Sequence, residues 1–531
     1  MRAKSSCALL AAAMLAQGLG VGVALAAEAP TVVEPSSLRV LYVGNDPRKL
    51  TLSDMESPDD EDPRISNRLL ALAKARTPDF DRFLHQHFRT VAVVFAPAYQ
   101  EAMSASYDVT IFDAPPPPIQ EEADPEQRYP ASLSPNFSAA ALMISGISAK
   151  ISEPLGYKFD WLCLCLDAHA HGMKLDHPVF NTPFRVRTTI EYRPTPENYR
   201  EFYGGRALPD TMPMWRVQKR GFSDGDNYPA GLVSSGAGFE NAPDAEVISN
   251  GACEKSSDAV AIGRHGNFFH WGFSAAPSGM TEEARLVFVN AIYYIAKFKG
   301  QRPYSRRIYP NFTREEALER AYSVAQSRED LQMLKELQKG YESRRQQLLA
   351  MQKVGQELSA ADLQALNEPL SMLPTWLKSE EMLGGLPDSV VAKFGADVSQ
   401  YLPYYEANLP YLKPGAKKYD YLQTYEVDED VRSLATANND VRLLELCVAM
   451  LESKLDTEKA QRILTRYTDQ RFQSAEEWRQ WLESHRGRIY FSDEDGYRFH
   501  VIPESRTLQA GPGAGTGPLL REPDRAIQKQ R

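Results

Sequence analysis

Short, almost continuous apolar runs recur through the first third of the sequence, and no other feature constrains the fold as strongly. Each run is bounded by turn residues and is rich in branched or aromatic side chains, which is typical of a buried strand. The runs lie at 38–43, 91–95, 107–112, 139–146 and 159–166. Strands that are apolar on both faces are typical of parallel sheets covered by helices. The sequence therefore predicts an α/β fold with a mostly parallel sheet and helices on both faces.

The next part of the chain continues this pattern up to residue 300. Residues 65–75 and 79–88 already show helical spacing, and four further strands are predicted at 184–192, 214–219, 260–263 and 267–273. A helix is predicted to follow Thr281, whose hydroxyl can cap it, with Glu282 and Glu283 at its positive end. We therefore predict one α/β domain over residues 37–300.

Composition changes near residue 300, which predicts a domain boundary. Residues 301–312 form a basic segment that includes Pro303 and Pro310, and we interpret it as a linker. A capping box formed by Thr313 and Glu316 then marks the start of a helix, and the Ser-x-x-acid patterns at Ser359 and Ser474 predict two more helix starts. We predict an all-α domain over 313–502 and, because 503–531 is rich in glycine and proline, a disordered tail there.

The first 26 residues have the pattern of a secretory signal peptide. Two basic residues precede an apolar stretch that ends in Ala24-Leu25-Ala26, a small-x-small cleavage pattern. The alternative is an uncleaved membrane anchor. Cleavage predicts an exported protein, periplasmic or extracellular, and no later segment is apolar enough to span a membrane. The formal charge of −10 excludes a general nucleic-acid binder, which needs a concentrated basic surface.

Four cysteines remain after the predicted leader: Cys163, Cys165, Cys253 and Cys447. Cys163 and Cys165 alternate on a strand and point to one face, and a bridge between such near neighbours would be strained. We therefore expect all four to be free thiols buried in the core.

Three stretches of the α/β half resemble the ThuA-like (trehalose-utilisation) family of the class I glutamine amidotransferase-like fold. They are 38–47, the Leu-Asp-His-Pro-Val-Phe segment at 175–180, and 261–273 together with the helix at 281–298. The resemblance covers about residues 37–300. It implies a flavodoxin-like sheet and a ligand related to carbohydrates. The helical half resembles extensions of secreted bacterial proteins, a similarity that implies no chemistry.

Glutaminase chemistry in that fold needs a cysteine on a strained turn, usually within Gly-x-Cys-x-Gly, with a histidine and an acid nearby. The candidate is Cys165, which is flanked by leucines and has neither glycine. Burial in such surroundings keeps a thiol protonated and inert. We therefore expect no glutaminase activity.

Histidines and carboxylates cluster after the strand predicted at 159–166. Asp167, His169 and His171 are the candidate catalytic residues, because a strand's carboxyl end is where open α/β sheets bind ligands. The H-x-H spacing also suits a divalent metal, with His169, His171 and His177 as its ligands. The alternative is a solvated polar loop, with Asp176 and His177 forming a turn.

Two other loops supply candidate ligand-binding residues. Arg264 and His265 lie between two predicted strands, where the alternative is a simple hairpin turn at Gly266-Asn267. Asn45 and Asp46 follow the first strand, where the alternative is a helix cap. We expect Asp46 and His265 to approach the histidine cluster from neighbouring strand ends.

Two functions are consistent with the sequence. The first is a secreted protein that binds or transforms a carbohydrate-related small molecule. The second is a non-catalytic scaffold with a degenerate amidotransferase-like domain, whose helical half presents a surface to a protein partner. Convergence of the histidines 169–177 on one pocket with Asp46 or His265 would favour an enzyme.

Overall fold

The computed structural model describes residues 35–54, 63–120, 127–160, 163–224, 228–307, 313–326, 328–356, 398–419 and 422–504, with a few single residues between 358 and 394. The predicted signal peptide and the tail beyond residue 504 lie outside these residues. None of the described helices combines the length and apolarity that crossing a bilayer requires.

An eleven-stranded mixed sheet is formed by strands between residues 36 and 271, which confirms the α/β fold. Its strands are β1 Ser36–Gly44, β2 Phe88–Phe95, β3 Val109–Phe112, β4 Ala141–Ile144, β5 Cys163–His171, β6 Ile190–Pro194, β7 Thr211–Arg216, β8 Gly231–Val233, β9 Ala245–Cys253, β10 Val260–His265 and β11 Phe268–Trp271. The order is β2-β1-β3-β4-β11-β10-β9-β5-β7-β6, and β8 pairs with β5.

Only one half of this sheet is parallel. Strands β2, β1, β3, β4 and β11 pair in parallel, as the continuous apolar runs predicted. From β11 onward every pairing is antiparallel. The strands β5 and β10 consequently run opposite to β1.

Helices cover both faces of the parallel half. The helices of this region are α1 Pro63–His87, α2 Glu101–Ser104, α3 Ile147–Ser152, α4 Pro178–Asn181 and α5 Glu282–Ala296. Side chains of β1 alternate between two cores because successive strand residues point to opposite faces. Val40 and Tyr42 pack with α1 and α5, whereas Leu41 and Val43 pack with Ile151 of α3.

Several element boundaries differ from the predictions. The two helical stretches at 65–75 and 79–88 form one helix, α1, that continues through Pro78. Its apolar face explains this, because Phe80 and Leu84 are fully buried in the core. The helix after Thr281 is confirmed, and the Thr281 hydroxyl accepts a hydrogen bond from the backbone N–H of Ala284.

The second half of the chain is mainly helical but not all-α, which corrects the prediction. The α-helices within its described residues are α6 Arg314–Gln326, α7 Arg328–Lys353, α8 Tyr401–Asn408, α9 Glu429–Arg432, α10 Arg442–Ser453, α11 Thr457–Tyr467 and α12 Ala475–Ser484. Two hairpins accompany them, β12 Leu412–Tyr419 with β13 Leu422–Val427, and β14 Ile489–Ser492 with β15 Arg498–Val501. The cross-strand pair Phe491 and Phe499 is buried in the helical core, which explains why the last hairpin forms.

The predicted capping box at Thr313 and the predicted helix start at Ser474 are confirmed. The Thr313 hydroxyl accepts from the Glu316 N–H at 3.2 Å, and the Glu316 carboxylate accepts from the Thr313 N–H at 2.7 Å. Ser474 and Glu477 make the same reciprocal pair at the start of α12.

The described part of the predicted linker is packed against both halves. The N–H of Tyr304 donates to Asp244 at 2.7 Å, and Arg307 pairs with Asp160 at 3.1 Å. Arg307 also contacts Glu494, in the turn between β14 and β15, at 3.2 Å. Separation of two domains near 300–312 stays a prediction.

The cysteine prediction is half correct. Cys253 and Cys447 are free and buried. Cys163 and Cys165 are instead joined by a disulfide, because their alternation along β5 brings both sulfur atoms to one face.

Candidate functional site

Asp167, His169 and His171 lie within β5 rather than in a loop beyond it. The observed strand runs to His171 and so extends past the predicted end at residue 166. The three side chains alternate with alanines and therefore project to the same face. His169 and His171 are 3% and 2% exposed, so the alternative of a solvated polar loop is wrong for them.

His171 is engaged in a closed hydrogen-bond chain. Its Nε2 lies 2.9 Å from the Tyr199 hydroxyl, which itself donates to the carbonyl of Gly251 at 2.9 Å. Because the tyrosine proton is used there, the imidazole must donate its Nε2–H to the Tyr199 oxygen. Burial lowers the pKa of His171 to about 4, so it is neutral at physiological pH.

His169 differs because its Nε2 atom has no hydrogen-bond partner within the described residues. The nearest acidic group is Glu191 on β6, with 3.7 Å between Nε2 and Oε2. Arg216 of β7 is its cross-strand partner. Burial, then the charges of Arg193 and Arg216, lower the pKa of His169 to about 4. The result is a buried neutral imidazole facing a half-exposed carboxylate.

Asp167 is held at one end of this row. Its carboxylate accepts a hydrogen bond from the Ser223 hydroxyl. Gly221 packs directly against it, and a Cβ at that position would lie 1.6 Å from the Asp167 Oδ1 atom. A glycine is therefore required there for the carboxylate to keep its position.

His177 belongs to a different network. Its Nδ1 accepts from the N–H of Val179 at 3.2 Å, so Nε2 carries the proton that it directs to Glu246 at 3.3 Å. Glu246 also accepts from Tyr294 at 2.6 Å. Burial alone would raise the pKa of Glu246, but the hydrogen bond from His177 and the charge of Arg264 hold it well below its usual range.

The predicted metal-ligand set is therefore not assembled. His171 is bonded to Tyr199 and His177 to Glu246, whereas His169 faces Glu191 without a hydrogen bond. No group of three or more His, Cys, Asp or Glu side chains that could hold a metal ion occurs within the described residues.

Arg264 and His265 are interior residues at the end of β10. Arg264 donates to Glu246 at 2.8 Å and lies over the Phe298 ring at 3.9 Å. His265 accepts from the Lys158 N–H at 3.2 Å, and its Nε2 lies 3.8 Å from Asp244. Burial lowers the pKa of His265 well below its usual value. The hairpin alternative is confirmed at this loop, with Gly266 at φ +55° in the turn.

Asn45 and Asp46 lie at the carboxyl edge of the parallel strands. The chain passes from β1 to β2 on one side and returns to β3 on the other, which makes this edge a topological switch point. Asp46 is paired with Arg48 through two contacts of 2.9 Å. Beside it, Asp113 is bonded by the Tyr42 hydroxyl at 2.5 Å and by Arg76 at 2.6 Å. These carboxylates are satisfied by the protein itself.

The predicted approach of Asp46 and His265 to the histidine row is wrong. Five strands, β3, β4, β11, β10 and β9, lie between β1 and β5 in the sheet, so Asp46 is far from the histidine row. His265 pairs with Ala245 of β9, whereas His171 pairs with Asn250, five residues further along that strand. The contacts of His265 are with Lys158 and Asp244.

Three residues beside His169 were not identified from the sequence: Glu191, Arg193 and Arg216. The alternation Ile-Glu-Tyr-Arg-Pro at 190–194 was the available signal, because it puts Glu191 and Arg193 on the same face of a strand. The pairing of that strand with β7 was not available from the sequence.

No family model, no curated protein and no solved structure matches this chain. The functional interpretation therefore depends on the geometry of the residues around the β5 histidines.

Proposed function

We propose that this chain is an exported protein whose α/β half binds a carbohydrate-related small molecule on the β5 face around His169, without glutaminase activity. One observation carries the proposal. His169 is 3% exposed, and its Nε2 atom has no partner in the described part of the protein. A buried polar atom without a partner is costly, and a bound ligand is one way to satisfy it.

The surroundings of His169 suit a hydroxyl-rich ligand. A neutral imidazole can either donate to or accept from a hydroxyl group, and the Glu191 carboxylate can accept from two neighbouring hydroxyls. Glu191 is 39% exposed at its side chain, so this group can be reached from solvent. The ligand class itself comes from the resemblance to the ThuA-like family.

The disulfide supports the absence of glutaminase chemistry. Cys165 is bonded to Cys163 within β5, and a nucleophile must be a free thiolate. The two free cysteines among the described residues do not lie on a strand-to-helix turn either. Cys253 is the last residue of β9, and Cys447 lies within α10.

A second candidate function is a non-catalytic scaffold whose helical half binds a protein partner. It is favoured by the hydrogen bonds of His171, His177 and Arg264. These three predicted site residues are bonded to other groups of the protein, Tyr199 and Glu246, and not to a ligand.

Calorimetric titration of the mature protein with a panel of sugars and sugar derivatives distinguishes the two. We expect at least one ligand to bind, with about tenfold weaker binding in His169→Ala, because one buried hydrogen bond is lost. His85→Ala is the matched control, since His85 is a 53% exposed histidine on α1. The absence of any binding to the wild-type protein would leave the scaffold as the better interpretation.

A further inference from the structure

We propose that the ligand of the β5 face carries an oxyanion, a carboxylate or a phosphate, that binds Arg193 and Arg216. This inference rests on the proposed function, because it names the chemical class of the same ligand. The site then includes residues of β7 and β6, the last two strands in the sheet order, in addition to the predicted histidine in β5.

Three adjacent strands bring the necessary groups together. His169 in β5 is the register partner of Arg216 in β7, and Glu191 in β6 is the partner of Met214, also in β7. Arg193 lies two residues beyond Glu191 and therefore on the same face of β6. One carboxylate and two guanidinium groups thus surround the buried imidazole.

The two guanidinium groups are underused by the protein. Arg193 makes one long hydrogen bond of 3.4 Å to Glu191, and Arg216 approaches the same carboxylate only to 3.9 Å. Each guanidinium has five N–H donors. The side chains are 41% and 31% exposed, so their free donors face accessible space.

A buried arginine elsewhere in the chain shows the contrast. Arg314 in α6 is bonded through Nε and Nη2 to Asp493 and through Nη1 to Asn438, all at 2.9 to 3.0 Å. Its donors are used within the fold, so it is a structural residue. Arg193 and Arg216 make no comparable contacts within the described residues, which is the expected state of a binding pair before its ligand arrives.

The geometry of the arginines, rather than the net charge, favours an anion. The charges of Arg193 and Arg216 are balanced by Glu191 and Asp167 around the neutral His169, but the Asp167 carboxylate is bonded to Ser223. The planar fork of a guanidinium matches the paired oxygens of a carboxylate or phosphate and binds them bidentately. A neutral sugar offers single hydroxyls and leaves this geometry unused. An acidic sugar would use both the hydroxyl-binding groups and the arginines.

The experiment compares four probes by calorimetry at low ionic strength with the full mature chain: glucose, glucuronate, glucose 6-phosphate and inorganic phosphate. We expect at least one of the two anionic sugars to bind about ten times more tightly than glucose or more. Tighter binding of glucuronate would indicate a carboxylate ligand, and tighter binding of glucose 6-phosphate would indicate a phosphate ligand. Arg193→Gln/Arg216→Gln should weaken anionic sugar binding by about ten- to a hundredfold, as expected for lost hydrogen bonds to a charged group.

Two further variants separate recognition from structure. Glu191→Gln keeps an acceptor oxygen for the hydroxyls of the ligand but removes the negative charge that competes for the arginines, so it should tighten binding of the anionic sugar severalfold. A merely structural role of this cluster predicts no such gain. Arg39→Gln is the matched control, because Arg39 is 49% exposed and pairs with Asp108 on the far side of the sheet. It should leave binding unchanged.

The outcomes distinguish this inference from the proposed function. If glucose binds as tightly as the anionic sugars, the oxyanion site is refuted and carbohydrate binding stands. If inorganic phosphate binds as tightly as either sugar and loses affinity in the double variant, the oxyanion site stands and the carbohydrate proposal is refuted. If none of the four probes binds, the oxyanion inference is refuted, and the wider sugar panel decides the proposed function.

Discussion

Replacement of Arg314 by methionine is expected to destabilise the helical half strongly. Arg314 opens α6 and is 4% exposed, while its partner Asp493, between β14 and β15, is 0% exposed. Nε and Nη2 of the arginine donate to the two carboxylate oxygens at 3.0 and 2.9 Å. Burial alone would lower the pKa of Arg314, but the charge of Asp493, its hydrogen bonds and the nearby Tyr497 together raise it.

The expected magnitude follows from the burial of the carboxylate. Arg314→Met retains the apolar stem but leaves Asp493 with only the backbone N–H of residue 314 as a donor from that position. Removal of one partner of a buried pair costs about 3–5 kcal/mol of the free energy of unfolding. Arg462 and Asp430 form a matched exposed pair, also bidentate at 3.1 and 2.9 Å, with 52% and 21% exposure. Arg462→Met should cost about 1 kcal/mol or less.

Urea-induced unfolding followed by circular dichroism measures both effects. The double variant Arg314→Met/Asp493→Leu should be more stable than the single Arg314→Met, because no buried charge is then left unpaired. The reasoning is refuted if Arg314→Met costs no more than Arg462→Met, or if the effects of the Arg314 and Asp493 substitutions simply add.

Three other predictions concern the α/β half. Thr281→Ala removes the hydroxyl that caps α5 and should lower the free energy of unfolding in urea by about 1 kcal/mol, whereas Thr281→Ser keeps a capping hydroxyl and should retain most of that stability. The folded-state pKa of Glu246 is depressed, so its contribution to stability is present above the unfolded value of about 4.3 and is lost as pH falls below it. Glu246→Gln should therefore flatten the loss of stability between about pH 5 and 3, and an unchanged acid limb would contradict the assignment. Cys165→Ser should leave calorimetric ligand binding intact, because the disulfide has no role in recognition; a lost binding signal from a folded variant would show otherwise.

Local signals in the sequence were reliable where one element determines its own structure. The apolar runs at β3, β4 and the second half of β1 predicted strands because these residues are buried on both faces of a parallel sheet. The run at 91–95 predicted β2, an edge strand whose residues there are partly buried. The capping residue Thr281 predicted the start of α5, since a cap depends only on residues within one turn.

Elements that the sequence did not predict were missed for a different reason. β9 was not predicted, because Glu246, Ser249 and Asn250 interrupt its apolar pattern, yet it is a central strand. Its polar side chains are satisfied by partners elsewhere in the chain, as in the hydrogen bonds that Glu246 accepts from Arg264 and Tyr294. Such partners are brought together only when the chain has folded.

The sequence by itself determined the α/β character of the first half, the helix caps and the presence of a histidine row. Tertiary structure decided how that row is used. The strand order placed five strands between β5 and β1, which keeps Asp46 away from the row, and pairing of β7 with β6 brought Arg216, Arg193 and Glu191 to His169. The physical reason is that strand identity depends on local burial, whereas strand direction and neighbours depend on contacts between residues far apart in the chain.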